Sequence, residues 1–272
     1  MLIYNKNRGR LGNSIFRLFS NIIFSIVNDV DAQIFCDTTD IYSYIVDDTY
    51  FINFMNVILN DLKPTKIDAN AKLLFDGYYQ HDRVYVKYKE QIIDYIKTHQ
   101  DIIIKTDRND AYKIGNLLDC KIEKKYRVVI HLRLEDFIEI SQAINPNSIK
   151  NVIDKIINEF RDEPICFVLN KPQTDLEIRY INFLKNIYSN IIFESNDVIT
   201  DFIIMRQSNI LVCSCSTLSW TAVILSKTIE KVYMPDYKNI NGFHQTCKYP
   251  HPNTELYSCE TCSQEELCNI LL

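Results

Sequence analysis

From residue 126 onward, short apolar runs alternate with amphipathic stretches, and this alternation restricts the fold more than any other feature of the chain. Residues 127–131, 164–169, 190–193, 209–213 and 231–235 are short, rich in β-branched residues and flanked by polar ones, so they read as buried strands. Between the first two, Ile149, Val152, Ile153, Ile156, Ile157 and Phe160 recur at three and four residues, which predicts a helix starting at Ser148. Helices are likewise predicted over 176–187, just before residue 209, and over 218–225. Five strands with intervening helices specify a parallel, doubly wound α/β sheet, whose ligands bind beyond the C-terminal strand ends.

Two polar stretches fall at such ends. CSCST at 213–217 follows one strand and opens a helix. Backbone N–H groups and the helix dipole make that place suited to phosphate, although Ser214, Ser216 and Thr217 also suit a plain helix cap. HLRLED at 131–136 follows another strand. Arg133 there has the planar fork that grips a diphosphate, or it pairs with Glu135 or Asp136 at the surface.

The first half alternates less regularly. A strand is predicted over 2–4, a glycine-punctuated loop over 5–12, and a helix capped by Asn13 and running to Asn28. Ile15, Leu18, Phe19, Ile22, Ile23 and Ile26 form its buried face. Arg8 and Arg10 add positive charge to a strand, loop and helix order that again suits anions. Strands over 32–36 and 71–75 and helices over 51–62, 87–104 and 111–118 follow. The sequence turns charged between Asp119 and Lys125, which sets domains at 1–122 and 123–272.

A 272-residue chain with 47% hydrophobic residues affords a substantial core. The net charge of −5 argues against a nucleic-acid binder. No stretch approaches the roughly 18 apolar residues of a membrane span. Residues 18–27 come nearest, and Ser20, Asn21 and Ser25 interrupt them. The N-terminus lacks the order of a signal peptide, so the expected location is the cytosol or the cytosolic face of a membrane. Cys36, Cys120, Cys166, Cys213 and Cys215 read as small buried hydrophobes. Cys247, Cys259, Cys262 and Cys268 crowd the C-terminal tail near His244 and His251, where zinc, disulfides and free thiols all remain open. The DxD at Asp29 and Asp31 sits at a helix end and reads as a capping or surface feature rather than a metal site.

Four stretches, in order, resemble motifs of the fucosyltransferase superfamily, nearest to glycosyltransferase family 11, the α-1,2-fucosyltransferases. GRLGN at 9–13 resembles GGLGNQ, and GYYQ at 77–80 resembles GYFQ. HLRLEDF at 131–137 resembles HxRRGDY. DFIIM at 201–205 with SCSTLSW at 214–220 resembles the D-x-x-x-M and S-N-S-[ST]-F-S-W-W pair. The resemblance implies an α/β, GT-B-like architecture of two facing Rossmann-like domains with parallel sheets. The N-terminal one would take a glycan acceptor, and the C-terminal one, with its Cys-rich tail, a GDP-sugar donor.

The implied activity is inverting, metal-independent transfer of fucose, or a related deoxyhexose, from the GDP-sugar to a glycan hydroxyl in α-1,2 linkage. No cofactor is implied, since the donor is a substrate. Arg133 would hold the diphosphate and assist its departure. His131 would lie by the donor nucleotide, Asp201 would accept from guanine, and Ser214, Ser216 and Thr217 would hold phosphate. Gly12 and Asn13 would face the donor across the cleft. Arg10, Leu134, Glu135 and Thr221 depart from the family pattern. These departures bear on which sugar and acceptor are used; the alternative is a non-catalytic GDP-sugar or nucleotide binder that keeps the donor pocket.

Overall fold

The computed structural model describes residues 1–36, 42–160, 163–237 and 247–272. The chain divides after Cys120 into two units, each built on a parallel sheet with helices between its strands.

The unit Met1–Cys120 runs β1 (Leu2–Asn5), α1 (Leu11–Asn28), β2 (Gln33–Phe35), β3 (Tyr44–Val46), α2 (Asp48–Leu59), β4 (Lys72–Phe75), α3 (Asp82–Lys87), α4 (Lys89–Thr98), β5 (Ile103–Lys105), β6 (Ala111–Lys113) and α5 (Ile114–Asp119). Its sheet has the order β2-β1-β4-β3, with every pairing parallel. Helix α1 is buried along most of its length through Phe16, Phe19, Ile22, Ile23 and Phe24.

Three expectations for this unit change. Helix α1 starts at Leu11 with Arg10 at the N-cap, so Asn13 lies in its first turn and does not cap it. The helix expected over 87–104 is two helices and a strand. The chain breaks at Tyr88 and again at His99, and the β-branched run that follows pairs antiparallel with β6. Residues 111–113, expected in a helix, are that partner strand. Strand β3 was not foreseen; it is three residues long and, among the described residues, pairs only with β4.

The unit Lys121–Leu272 runs β7 (Val128–His131), α6 (Glu135–Glu139), β8 (Ala143–Ile144), α7 (Pro146–Glu159), β9 (Ile165–Val168), α8 (Asp175–Ile187), β10 (Ile191–Glu194), α9 (Val198–Gln207), β11 (Ile210–Val212), α10 (Thr217–Ile224), β12 (Lys231–Tyr237), β13 (Thr254–Cys259), β14 (Thr261–Cys262) and α11 (Gln264–Ile270). The main sheet has the order β10-β9-β7-β11-β12-β13, all parallel. Numbered along the chain this is 3-2-1-4-5-6, the order of dinucleotide-binding folds. Helix α7 begins at Pro146 rather than Ser148, because Asn145 accepts the Asn147 N–H at 2.9 Å and proline suits a first turn. A sixth strand, β13, extends the sheet beyond β12, where the expected series ended.

Among the described residues no helix is long and apolar enough to cross a membrane.

Candidate functional site

The C-terminal sheet reverses its winding beside β7. The chain moves from β7 to β9 and β10 on one side, then returns to place β11 on the other. Such a reversal leaves a crevice at the C-terminal strand ends, because the two flanking loops diverge to opposite faces. His131 ends β7, and Ser214 follows β11. Ser214 Oγ lies 2.9 Å from His131 Nδ1. His131 is 4% exposed. Burial, and then the nearby Arg133 charge, push its imidazole down to about 3, so it is neutral at ordinary pH.

The turn after Ser214 is closed by its own groups. Ser216 N–H donates to Ser214 O at 2.8 Å, and Ser216 Oγ accepts from Leu218 N–H at the start of α10. The Ser216 N–H is therefore satisfied within the turn itself. Thr217 is the first residue of α10 and is half-buried. Trp220, one turn on, is fully buried and anchors the helix to the core. Burial raises the Cys215 thiol to about 12, so it is no thiolate.

Arg133 follows His131 by two residues, and most of its side chain is buried. Its Nε and Nη2 donate to Asp136 Oδ1 at 3.1 and 3.0 Å, and Nη2 reaches Oδ2 at 3.3 Å. The guanidinium also lies 5.3 Å from the centre of the Phe137 ring. Between Arg133 and Asp136 the backbone of Glu135 takes φ +33°, in the left-handed region that favours glycine. This is the position of glycine in the HxRRGDY pattern.

Asp201 stands apart from that pair. It lies in the first turn of α9, after β10, and β10 is two strand spacings, about 10 Å, from β7. Its Oδ1 accepts from the backbone and side-chain N–H groups of Asn196 at 3.2 and 3.1 Å. Asn196 also donates to Glu194, which accepts from Lys124 and Tyr126. Asp201 is 5% exposed, and burial pushes its carboxyl up to about 6. Asn196 and Glu194 escaped sequence reading; the available signal was a carboxylate ending a predicted strand.

The first unit has its own reversal, between β1 and β4. Gly9 takes φ +69°, and a Cβ there would overlap the Asn13 amide. Asn13 Oδ1 accepts from Gln80 Nε2 at 2.9 Å, which joins the first two resemblance stretches; Gly12 is buried beside it. A Cβ on Gly77 would come within 2.9 Å of Asp48, whose carboxylate takes the N–H groups of Tyr78 and Tyr79. Arg8 and Lys6 both pair with Asp76, just past β4, at 2.7 and 3.2 Å, so the Arg8 charge expected for anions is already engaged by a carboxylate. Arg17 is 2% exposed and donates to Arg8 O, Ser14 Oγ and Gly77 O. Burial holds its guanidinium below its usual basicity.

None of the described cysteines forms a disulfide. Cys120 is exposed and Cys36 half-buried, contrary to expectation, because both lie just past the ends of their elements. Cys247, Cys259 and Cys262 are buried, and His244 lies outside the described residues. Among those residues no group of His, Cys, Asp and Glu is arranged to hold a metal ion. Asp29 is the C-cap of α1, in left-handed conformation.

No protein-family profile matches the chain. No curated protein matches it. Among solved structures, it is similar to POFUT1 in complex with GDP, with 10% identity and a TM-score of 0.45 over 86% of this chain and 97% of that one. A second crystal form of that complex gives 12% identity and a TM-score of 0.43 over 94% and 98%. A protein described as a UDP-N-acetylglucosamine 2-epimerase from Listeria monocytogenes gives 8% identity and a TM-score of 0.42 over 99% and 86%.

Proposed function

We propose that the chain is an inverting, metal-independent glycosyltransferase, moving fucose or a related deoxyhexose from a GDP-sugar to a glycan hydroxyl in α-1,2 linkage. The observation that carries this reading is the 2.9 Å meeting of His131 and Ser214 at the switch point of the C-terminal sheet, with Arg133 just beyond. Transfer requires stabilisation of charge growing on the departing diphosphate. Arg133 supplies a fixed cation for it. His131, being neutral, orders the strand ends without competing for that charge. Ser214 and Ser216 shape the turn, and the N–H of Thr217 meets phosphate at the start of α10. Asp201 accepts from guanine N1–H and the 2-amino group. The unit with Gly12 and Asn13 serves the acceptor. The reaction takes place in the cytosol or at the cytosolic face of a membrane and needs no cofactor beyond the donor.

Calorimetry tests the donor half. GDP is expected to bind more tightly than UDP or ADP, and Asp201→Ala is expected to remove about 1.5–3 kcal/mol of that preference. The preference should fade as pH falls through about 6, where Asp201 takes up a proton. Equal affinity for UDP sinks the reading, and transfer abolished by EDTA and restored by manganese removes its metal independence. Asp136 on the Nε and Nη2 edge of Arg133 favours one rival, a binder without turnover. Turnover of GDP-fucose separates the two.

A further inference from the structure

We infer that Glu177 is a positioning residue for the loop that carries Arg133; where the inference concerns nucleotide and turnover, it rests on the proposed function. Glu177 is the third residue of α8 and 2% exposed. A carboxylate so buried must have its oxygens satisfied. Oε2 accepts from Gln173 N–H, Thr174 N–H and Thr174 Oγ1 at 2.8, 2.7 and 2.9 Å. With Thr174 Oγ1 accepting from Glu177 N–H, this is a complete capping box. It accounts for the start of α8 and for one oxygen only.

The other oxygen reaches far along the chain. Oε1 accepts the backbone N–H of Glu135, 42 residues away in sequence, at 3.1 Å. Glu135 lies between Arg133 and Asp136 and has the unfavourable φ of +33°. A side-chain-bearing residue keeps such a conformation only where its surroundings hold it. Glu177 supplies that hold from a rigid helix start. The turn so fixed sets the Arg133 guanidinium against Asp136 and Phe137. A cap needs one carboxylate oxygen; the second, spent on Glu135, ties the arginine loop to α8.

The test uses the full chain and two variants. In Glu177→Gln the single carbonyl oxygen stays with the three donors of the cap, and the amide NH2 then opposes Glu135 N–H. Thr174→Ala weakens the cap and leaves the Glu135 bond in place. Without nucleotide, hydrogen exchange at the Glu135 amide should accelerate about tenfold or more in Glu177→Gln and stay near wild type in Thr174→Ala. With GDP-fucose, Glu177→Gln should lower kcat about tenfold, and add less than about twofold in an Arg133→Lys background. Adding Glu135→Gly, which takes the same φ unaided, should restore most of that loss. Unchanged exchange in a folded Glu177→Gln protein, or equal acceleration in Thr174→Ala, overturns the inference. A wild-type protein that ignores GDP and GDP-fucose sinks the proposed function instead, and exchange alone then decides the role of Glu177.

Discussion

Each unit has a parallel sheet that reverses beside its first strand, where the first unit brings together 9–13 and 77–80 and the second 131–137 and 214–220, but the two crevices are filled differently. Between β1 and β4, Asp76 takes both Lys6 and Arg8, Arg17 gives its donors to two carbonyls and a hydroxyl, and Asn13 and Gln80 satisfy each other. Between β7 and β11 the buried pair is neutral, and the nearby arginine is held by a half-exposed carboxylate. The same topology thus yields one crevice whose cations pair among its own groups and one whose cation is paired with a half-exposed carboxylate. On the proposed function, the first serves stability and the second takes the donor.

Four substitutions test that contrast. Arg17→Met strips three buried or half-buried acceptors of their donor and should cost about 3–4 kcal/mol in denaturant unfolding. A loss below about 1 kcal/mol would mean the first crevice is not locked this way. Arg133→Lys keeps the charge but loses the fork. It should reduce kcat about a hundredfold while GDP affinity and stability change little. Wild-type turnover in that variant removes the centre of the proposed chemistry.

The third concerns acid. The unfolded His131 imidazole takes up a proton near 6.5, and the folded one only near 3. Between those values the unfolded state binds more protons, so stability is complete above 6.5 and falls on acidification, by about 2 kcal/mol at pH 5. Asp201 acts oppositely: the folded carboxyl protonates near 6 and the unfolded one near 3.8, which favours the fold as pH drops through 6. His131→Asn should therefore lose about 2 kcal/mol less than wild type between pH 7.5 and pH 5. Parallel pH profiles would show that the buried histidine does not set acid sensitivity. The smallest effect belongs to Glu135→Gly, which relieves a left-handed backbone but loosens the unfolded chain. It should raise stability by about 0.5 kcal/mol, and a loss of stability would mean that Glu135 is not strained.

The strands around both crevices were legible because a strand buried on both faces leaves an unbroken apolar run, as at Val128, Val129 and Ile130. Strand β13 was not. It forms the sheet edge, and only Tyr257 and Cys259 of its residues are buried, so it offers no such run. The helix expected over 87–104 failed because residues 102–104 are isoleucines, and an apolar triplet fits a helix turn or a short strand equally. That His131, Arg133 and Ser214 would lie at or just past strand ends was legible from the predicted strands; their roles came from the resemblance. That Ser214 faces His131 and not solvent was not, since it depends on β7 and β11 becoming neighbours. Glu177 was half legible: Thr174 and Glu177 have capping-box spacing, but nothing local tells where the second oxygen goes.

Strand β12 is flanked by β11 on one side and β13 on the other, and the chain after β13 pairs β14 with β8 and bonds Glu260 to Asn145 and Ser148. During synthesis on the ribosome, β7 through β12 emerge before the residues that cover their outer edge. Until Thr254–Cys259 follows, the nascent sheet presents the bare backbone of β12, a strand whose side chains are largely buried once it is paired. A growing chain stalled at that point has a ready template for pairing with its neighbours on a polysome. Pairing of β13 is thus also the step that takes the nascent protein out of danger of aggregation.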